Sequence, residues 1–273
     1  SHAARRYNAP ALAQFAQALF ARAGMRPDIA DAVAAVLVDG DLLGHTTHGL
    51  ALAAPYLAEL ANGTMTKSGE PAVVRAMPAA ETWDGRRLPG PWLTLRAVDR
   101  AMAMASREGT GTVAIRRSHH IACLAAYLKH ATDRGMMALV YSSDPVAASV
   151  APFGAVSPVF TPNPLAAGIP TSGDPILIDV SASYTTNSLT ARLHKAGGRL
   201  PHAWVQDAHG APTDDPRVLF EEPKGTLLPL GGLEAGHKGY ALALMIEAMT
   251  AALAGFGRAD PKEGWGATVF VQA

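Results

Sequence analysis

Apolar positions along the chain fall into stretches of helical and of strand-like period. Leu12, Phe15, Leu19 and Phe20 recur at helical spacing between Ala9 and Ala23, and Gly24 stops the run. Pro27-Asp28 opens a second helix with Ile29, Val33, Val36 and Leu37 on its apolar side, ended by Gly44. Pro55 to Leu60 predicts a short helix closed by Asn62-Gly63, residues 71–83 two short strands turning at Asp84-Gly85, and Leu95 to Glu108 a clear helix. A strand at Val113 to Ile115, a helix at Ala122 to Arg134 and a buried strand at Met136 to Tyr141 follow. The passage from Pro152 to Pro164 is too interrupted by proline for a helix or a central strand. Strands at Ile176 to Val180 and Ala203 to Gln206, a strong helix at Tyr240 to Ala254 and a strand at Gly266 to Gln272 complete the pattern.

Composition narrows the function. The chain has 273 residues, 49% of them hydrophobic, enough for one large or two modest domains with a full core. Lys+Arg and Asp+Glu both total 23, so no broad basic field exists to attract nucleic acid or an anionic membrane surface. No apolar run reaches the ~18 residues of a membrane span, and no secretory signal pattern opens the chain, so the cytoplasm is the expected compartment. The single cysteine, Cys123, excludes an internal disulfide and is expected as a buried small hydrophobe.

Candidate chemistry concentrates in three places. Gly44-His-Thr-Thr-His48-Gly49 sets two imidazoles and two hydroxyls at a helix end, where an imidazole beside a hydroxyl is a natural acid/base. Ser118-His119-His120 sits at a strand end, where adjacent side chains diverge, so one histidine at most serves a site there. Leu230 to Gly239, glycine-rich and carrying His237 and Lys238, reads as a loop feeding a helix N-terminus, a ready anion site. It is not a P-loop, because Gly239 stands where the hydroxyl residue belongs. Gly109 and Gly111 follow a helix and precede a strand, the reverse of the dinucleotide fingerprint. Any nicotinamide cofactor is therefore held without a Rossmann turn.

In chain order, Gly44 to Gly49, Ser118 to His120, Asn163-Pro164 before Ile169-Pro170, Ile178-Asp179-Val-Ser181-Ala-Ser183, and Leu228-Pro-Leu-Gly-Gly ahead of Gly236-His-Lys-Gly-Tyr240 resemble the motifs of the malate/L-lactate dehydrogenase-like family. The resemblance implies an α/β fold of the α+β kind, non-Rossmann, with a mixed, mainly antiparallel sheet holding NAD or NADP beside a largely helical domain. It implies a homodimer acting on a small 2-hydroxy or 2-oxo acid, with a helical, substrate-binding and dimerising part at 1–112 joined by 233–273, and a cofactor domain at 113–232. His48 and His120 carry over as the catalytic pair with Thr47, His48 as proton donor and His120 beside the nicotinamide, the reverse assignment staying open. His120, Asn163, Ile178, Asp179, Ser181, Ser183, His237 and Lys238 carry over as cofactor contacts, and no metal ligands are expected. Family members run on past this chain's last strand to a Pro-Gly-Glu segment, so a further C-terminal segment is expected.

Two departures bear on the substrate, expected to meet His48, Leu52 and Asp144. The family's arginine four residues after the motif histidine is Leu52 here, and its Thr-Asn-Ser has become Ser142-Ser143-Asp144. A lost cation and a gained carboxylate keep a cyclic imino-acid reductase open as an alternative, as well as a non-catalytic cofactor-binding relative. A metal-dependent hydrolase is disfavoured, since no carboxylate falls at ligand spacing beside His45 and His48.

Overall fold

A computed structural model describes residues 6–273, so residues 1–5 of the range read as the helical domain lie outside it. Asn8 opens α1 (Ala9–Arg22) by accepting the Ala11 N–H on its side chain at 2.9 Å, and Gly24 leaves it with φ 93°. Pro27 starts α2 (Pro27–Leu42), where Ile29, Val33 and Leu37 are fully buried. Each such side chain removed from water contributes about 1.5–3 kcal/mol. A short turn leads to α3 (Ala53–Asn62), closed by Gly63 at φ 76°. Strands β1 (Ala72–Met77) and β2 (Ala80–Asp84) form a hairpin, and α4 (Gly90–Glu108) crosses over to β3 (Thr112–Ser118), which runs parallel to β2. α4 begins five residues before the expected Leu95, because Pro91 suits the first turn of a helix.

The helix expected at Ala122 to Arg134 shrinks to a 3-10 turn at Leu124–Tyr127 and α5 (Leu128–Thr132). Ala122 has a left-handed φ of 59°, and the Asp179 carboxylate accepts the Ala125 N–H at 2.9 Å, so the helical turn starts later. Then follow β4 (Ala138–Ser143), β5 (Pro164–Ile169), β6 (Ile176–Ser181) and α6 (Asn187–Lys195). β5 lay hidden behind the proline-rich reading, but Pro164 is its first residue, a position where the missing N–H is tolerated. A small sheet of β7 (Val205–Gln206), β8 (Pro212–Thr213) and β9 (Thr226–Leu227) precedes α7 (Gly232–Glu247), and β10 (Ala267–Gln272) ends the chain.

The large sheet has the order β1-β2-β3-β10-β4-β5-β6, antiparallel except between β2 and β3. The fold is thus the expected mixed, mainly antiparallel α/β type. Residues 267–272, grouped with the helical part when the sequence was read, lie in mid-sheet, paired to β3 on one side and β4 on the other. Residues 72–84, also placed there, add β1 and β2 to the same sheet. One core lies between this sheet and α1, α2 and α4, and a second, around Phe160, Val205, Leu227 and Ile246, joins the small sheet to α7. Among the described residues no helix is long and apolar enough to cross a membrane.

The glycine-rich stretch is helical rather than a loop. α7 starts at Gly232 rather than Tyr240 and kinks at Ala235, whose φ of −123° and ψ of 15° are not helical, so His237 and Lys238 lie in the first turn after the kink and not ahead of the helix. Its glycines are needed for close packing: a Cβ on Gly239 would collide with the Leu230 backbone, and one on Gly236 would come 2.9 Å from the Phe153 ring.

Candidate active site

Five segments meet at one cleft of about 390 Å³: the loop after α2, the segment from His120 to Leu124, the strand ends around Ser142–Asp144 and Asp179–Ser181, and Trp265–Ala267 at the start of β10. His48 and His120 face each other across it, ring centroids 5.9 Å apart and planes 27° from parallel. The Trp265 indole stacks on the other side of His120 at 4.5 Å and 29°.

Each imidazole is held by its Nδ1. His48 Nδ1 lies 3.0 Å from Thr47 Oγ1. His120 Nδ1 accepts the Ala122 N–H at 3.3 Å and lies 2.8 Å from the Tyr56 hydroxyl, which also reaches the His120 carbonyl at 3.1 Å. Accepting a backbone N–H at Nδ1 leaves the ring proton of neutral His120 on Nε2. Burial pushes both rings below the ordinary imidazole pKa, His120 far below, with His48 and His119 adding to its shift; for His48, Asp179 works against burial. Both imidazoles are therefore neutral at neutral pH.

The neighbouring His119 turns the other way. It is fully buried, its Nε2 3.2 Å from Glu59 Oε2 and its Nδ1 without a partner. Burial pushes it down to about 4, against the pull of Glu59. A folded-state pKa below the unfolded value means that the unfolded chain takes up the proton first as pH falls. The contribution is present above about pH 6.5 and is lost towards pH 4, about 3 kcal/mol in all. Denaturant midpoints measured across this window should fall accordingly, and His119→Gln should flatten the fall; an unchanged slope would remove His119 as its cause.

Asp144 lines the cleft with Oδ1 accepting the Val146 and Ala147 N–H groups at 2.8 and 3.3 Å. Burial raises its pKa, while those N–H groups, Arg258 and Arg87 oppose the rise. Among the described residues lining the cleft there is no lysine or arginine. Leu52 lines it too, and is 7% exposed. Ser181 also lines the cleft, with Thr186, Asn187 and Ser188 at the start of α6, where Thr186 caps the helix through the Leu189 N–H.

Residues 7–269 match the family model described as malate/L-lactate dehydrogenase. The chain belongs to that family. It is 31% identical to the L-sulfolactate dehydrogenase of Methanothermobacter thermautotrophicus over 85% of this chain and 68% of that one. It is 33% identical to the (2R)-3-sulfolactate dehydrogenase (NADP(+)) of Chromohalobacter salexigens over 83% and 65%. Among solved structures, the delta1-piperideine-2-carboxylate reductase of Pseudomonas syringae pvar. tomato superposes with a TM-score of 0.87 at 28% identity, covering 98% of this chain and 81% of that one. The chain thus spans about two thirds of the length of these curated dehydrogenases.

Against the family's motif, the cleft gathers Thr47, His48, Leu52, His120, Asp144, Asp179 and Ser181 from the expected residues. It does not gather the rest. Asn163 is fully buried behind the wall, where its amide donates to Glu247 Oε1 at 3.0 Å and its carbonyl accepts from Thr161, a cleft residue, at 2.8 Å. Glu247 in turn holds Arg258 at 2.7 Å, so Asn163 braces the cleft wall against α7. Ile178 points to the opposite face of β6 from Asp179, 39% exposed, as strand alternation requires. Ser183 is buried and donates to the Thr185 carbonyl at 2.7 Å. His237 and Lys238 are exposed on α7, outside the cleft lining, with His237 edge-on to Phe153 at 5.7 Å. Tyr56, Trp265 and Cys123 were missed as site residues. No motif marked the tyrosine or the tryptophan, and the cysteine read as core.

Proposed function

We propose that this member of the hydroxyacid dehydrogenase family moves a hydride between NAD or NADP and the C2 atom of a small 2-hydroxy or 2-oxo acid, with His48 as acid/base. The observation that carries this reading is the facing pair of neutral imidazoles, each anchored at Nδ1, in a cleft that shields them. The cleft suits a nicotinamide nucleotide: Ser181, Thr186, Asn187 and Ser188 offer hydroxyl and amide partners for a ribose. Bound there, the nicotinamide would supply or accept the hydride.

The chain's own residues then handle the proton and the orientation. Reducing a C2 carbonyl builds negative charge on its oxygen, and His48, first protonated to the imidazolium, delivers the proton there from Nε2, the nitrogen not facing Thr47, and returns to the neutral ring. In the oxidising direction the same neutral nitrogen takes the hydroxyl proton. His120, held by Ala122 and Tyr56, directs an Nε2–H donor that orients the substrate oxygen. A homodimer in the cytoplasm belongs to the same reading; apolar Ile176, Ile178 and Val180 along the edge strand β6 are exposed and suit contact with a second copy.

The reductase alternative draws on a specific observation: two carboxylates, Asp144 and Asp179, and among the described residues no lysine or arginine, line the cleft, which suits the iminium nitrogen of a cyclic imino acid. Fluorescence titration with NADH and NADPH, followed by turnover of the tighter cofactor on panels of 2-oxo acids and cyclic imino acids, tests both readings. Binding with turnover on one panel selects the substrate class; binding with turnover on neither leaves the non-catalytic relative. Leu52→Arg should lower kcat/KM on the selected substrate by about tenfold or more, about 1.4 kcal/mol, because a guanidinium enters space shaped for leucine. A large gain on simple 2-oxo acids with no loss elsewhere would refute this view of the pocket.

A further inference from the structure

Three donor atoms from distant parts of the chain converge in the cleft, and the chemistry above uses none of them as a reacting group. His45 follows α2, Cys123 precedes the turn at Leu124–Tyr127, and Asp179 lies on β6. One ring nitrogen, Sγ and one carboxylate oxygen all lie within 4.8 Å of one another. Cys123 Sγ and Asp179 Oδ2 are 3.8 Å apart, and the same oxygen accepts the Ala125 N–H at 2.9 Å. Among the described residues none of the three joins a salt bridge, and the His45 imidazole makes no hydrogen bond. All three line the cleft, so a fourth position beside them is open to solvent or a ligand.

We propose that His45, Cys123 and Asp179 form a binding site for a thiophilic divalent cation of the Zn²⁺ type. Imidazole, thiolate and carboxylate together are a donor set for zinc; Mg²⁺ and Ca²⁺ call for oxygen ligands throughout. Tetrahedral bonds of about 2.0–2.3 Å put ligand atoms roughly 3.3–3.8 Å apart. The Cys123–Asp179 edge already has about that length, so the site closes by moving His45 about 1 Å. His45 can make that move: it is only part-buried and follows Gly44, which turns the loop at φ 87°. On binding, the Cys123 thiol gives its proton to solvent and a sulfur–metal bond forms, with no change of oxidation state. Three protein ligands and one open position match a reactive or inhibitory zinc site rather than a closed structural one.

Occupancy has a consequence that rests on the proposed nicotinamide reading. A doubly charged ion in the cleft, three residues from His48, excludes the cofactor and makes Zn²⁺ a competitive inhibitor of its binding.

The test is titration of the reduced, full chain with Co²⁺, followed by absorption. One equivalent should bind, with visible bands of a four-coordinate ion and a thiolate-to-cobalt charge-transfer band in the near ultraviolet; added Zn²⁺ should bleach both. Cys123→Ser should lose the charge-transfer band. His45→Gln, on a surface loop where folding is not at stake, should weaken affinity by more than about tenfold, since even an outer-shell partner is worth about that much. A wild-type spectrum without the charge-transfer band, or one unchanged in His45→Gln, overturns the site. Zn²⁺ should also raise the apparent Kd for NADH or NADPH in the wild type and not in His45→Gln. A charge-transfer band without that competition overturns the exclusion of the cofactor. If neither cofactor binds even without metal, the nicotinamide reading fails, while the cobalt spectrum still decides the site.

Discussion

His48→Gln is expected to lower kcat by about 10²–10⁴ while leaving cofactor affinity within a few-fold of the wild type. Glutamine preserves polarity and much of the volume, and can still meet Thr47 Oγ1, which lies 3.0 Å from the native ring. What it cannot do is gain and lose a proton at working pH. The pH dependence identifies the group as well as its importance. Burial holds the His48 pKa below the ordinary imidazole value, so the neutral ring needed to take a proton from an alcohol persists through neutral pH. Oxidation should therefore be flat there and fall only as pH drops below the ordinary imidazole range. Reduction needs the imidazolium and should fade as pH rises through that same acidic range. Both limbs should vanish in His48→Gln. His120→Gln should instead act mainly on KM and on cofactor affinity, since Ala122 and Tyr56 fix His120 as a donor and not as a proton shuttle. Pre-steady-state rates with pH profiles for both variants decide the matter: limbs that survive in His48→Gln and disappear in His120→Gln would exchange the two roles.

The parts of the molecule that show in its sequence are those specified by neighbouring residues. α1, α2 and the end of α4 follow from apolar period plus a terminal glycine, and each stop glycine sits at positive φ or just past the last turn. Strands β3, β4 and β10 are short apolar runs that central, doubly paired positions favour, and β6 is a similar run at the sheet edge. What failed was set by distant partners. β5 hides because its strand character comes from pairing with β4 and β6 on either side, not from its own composition. α7 starts eight residues early because its glycines let Leu230, Pro229 and Phe153 approach the helix, a contact that no local pattern announces. The site divides the same way. The histidine motifs and the Asp179 strand end could be read directly, whereas Tyr56, 64 residues before His120, and Trp265, stacked on it from just before β10, are joined to it only by the fold. His45, Cys123 and Asp179 likewise have no spacing that a linear search for ligands would detect.

Gly90→Ala should be the most damaging change to the scaffold that touches no catalytic side chain. Gly90 is the first residue of α4, and a Cβ there would run into the carbonyl oxygens of both His119 and His120, the latter at 2.5 Å. These are backbone atoms, so no rotamer change relieves the overlap. The segment must shift, and it is held by the His119 N–H donating to the Leu88 carbonyl at 3.1 Å and by the Tyr56 hydroxyl on the His120 carbonyl. A destabilisation of about 3 kcal/mol is expected, at the upper end for inserting one carbon into a packed site, with Tm lower by roughly 5–10 °C. Activity should fall further than the folded fraction does, because the shift carries the His120 ring away from its 5.9 Å stacking against His48. Gly173→Ala is the matched control: a Cβ there meets nothing within 4 Å, and the variant should unfold like the wild type. Denaturant unfolding of both variants, with kcat/KM measured where Gly90→Ala is still folded, separates the two effects. A Gly90→Ala protein of wild-type stability would mean that α4 and the His119–His120 segment do not pack as closely as the structure places them, and full activity in a destabilised one would uncouple the position of His120 from turnover.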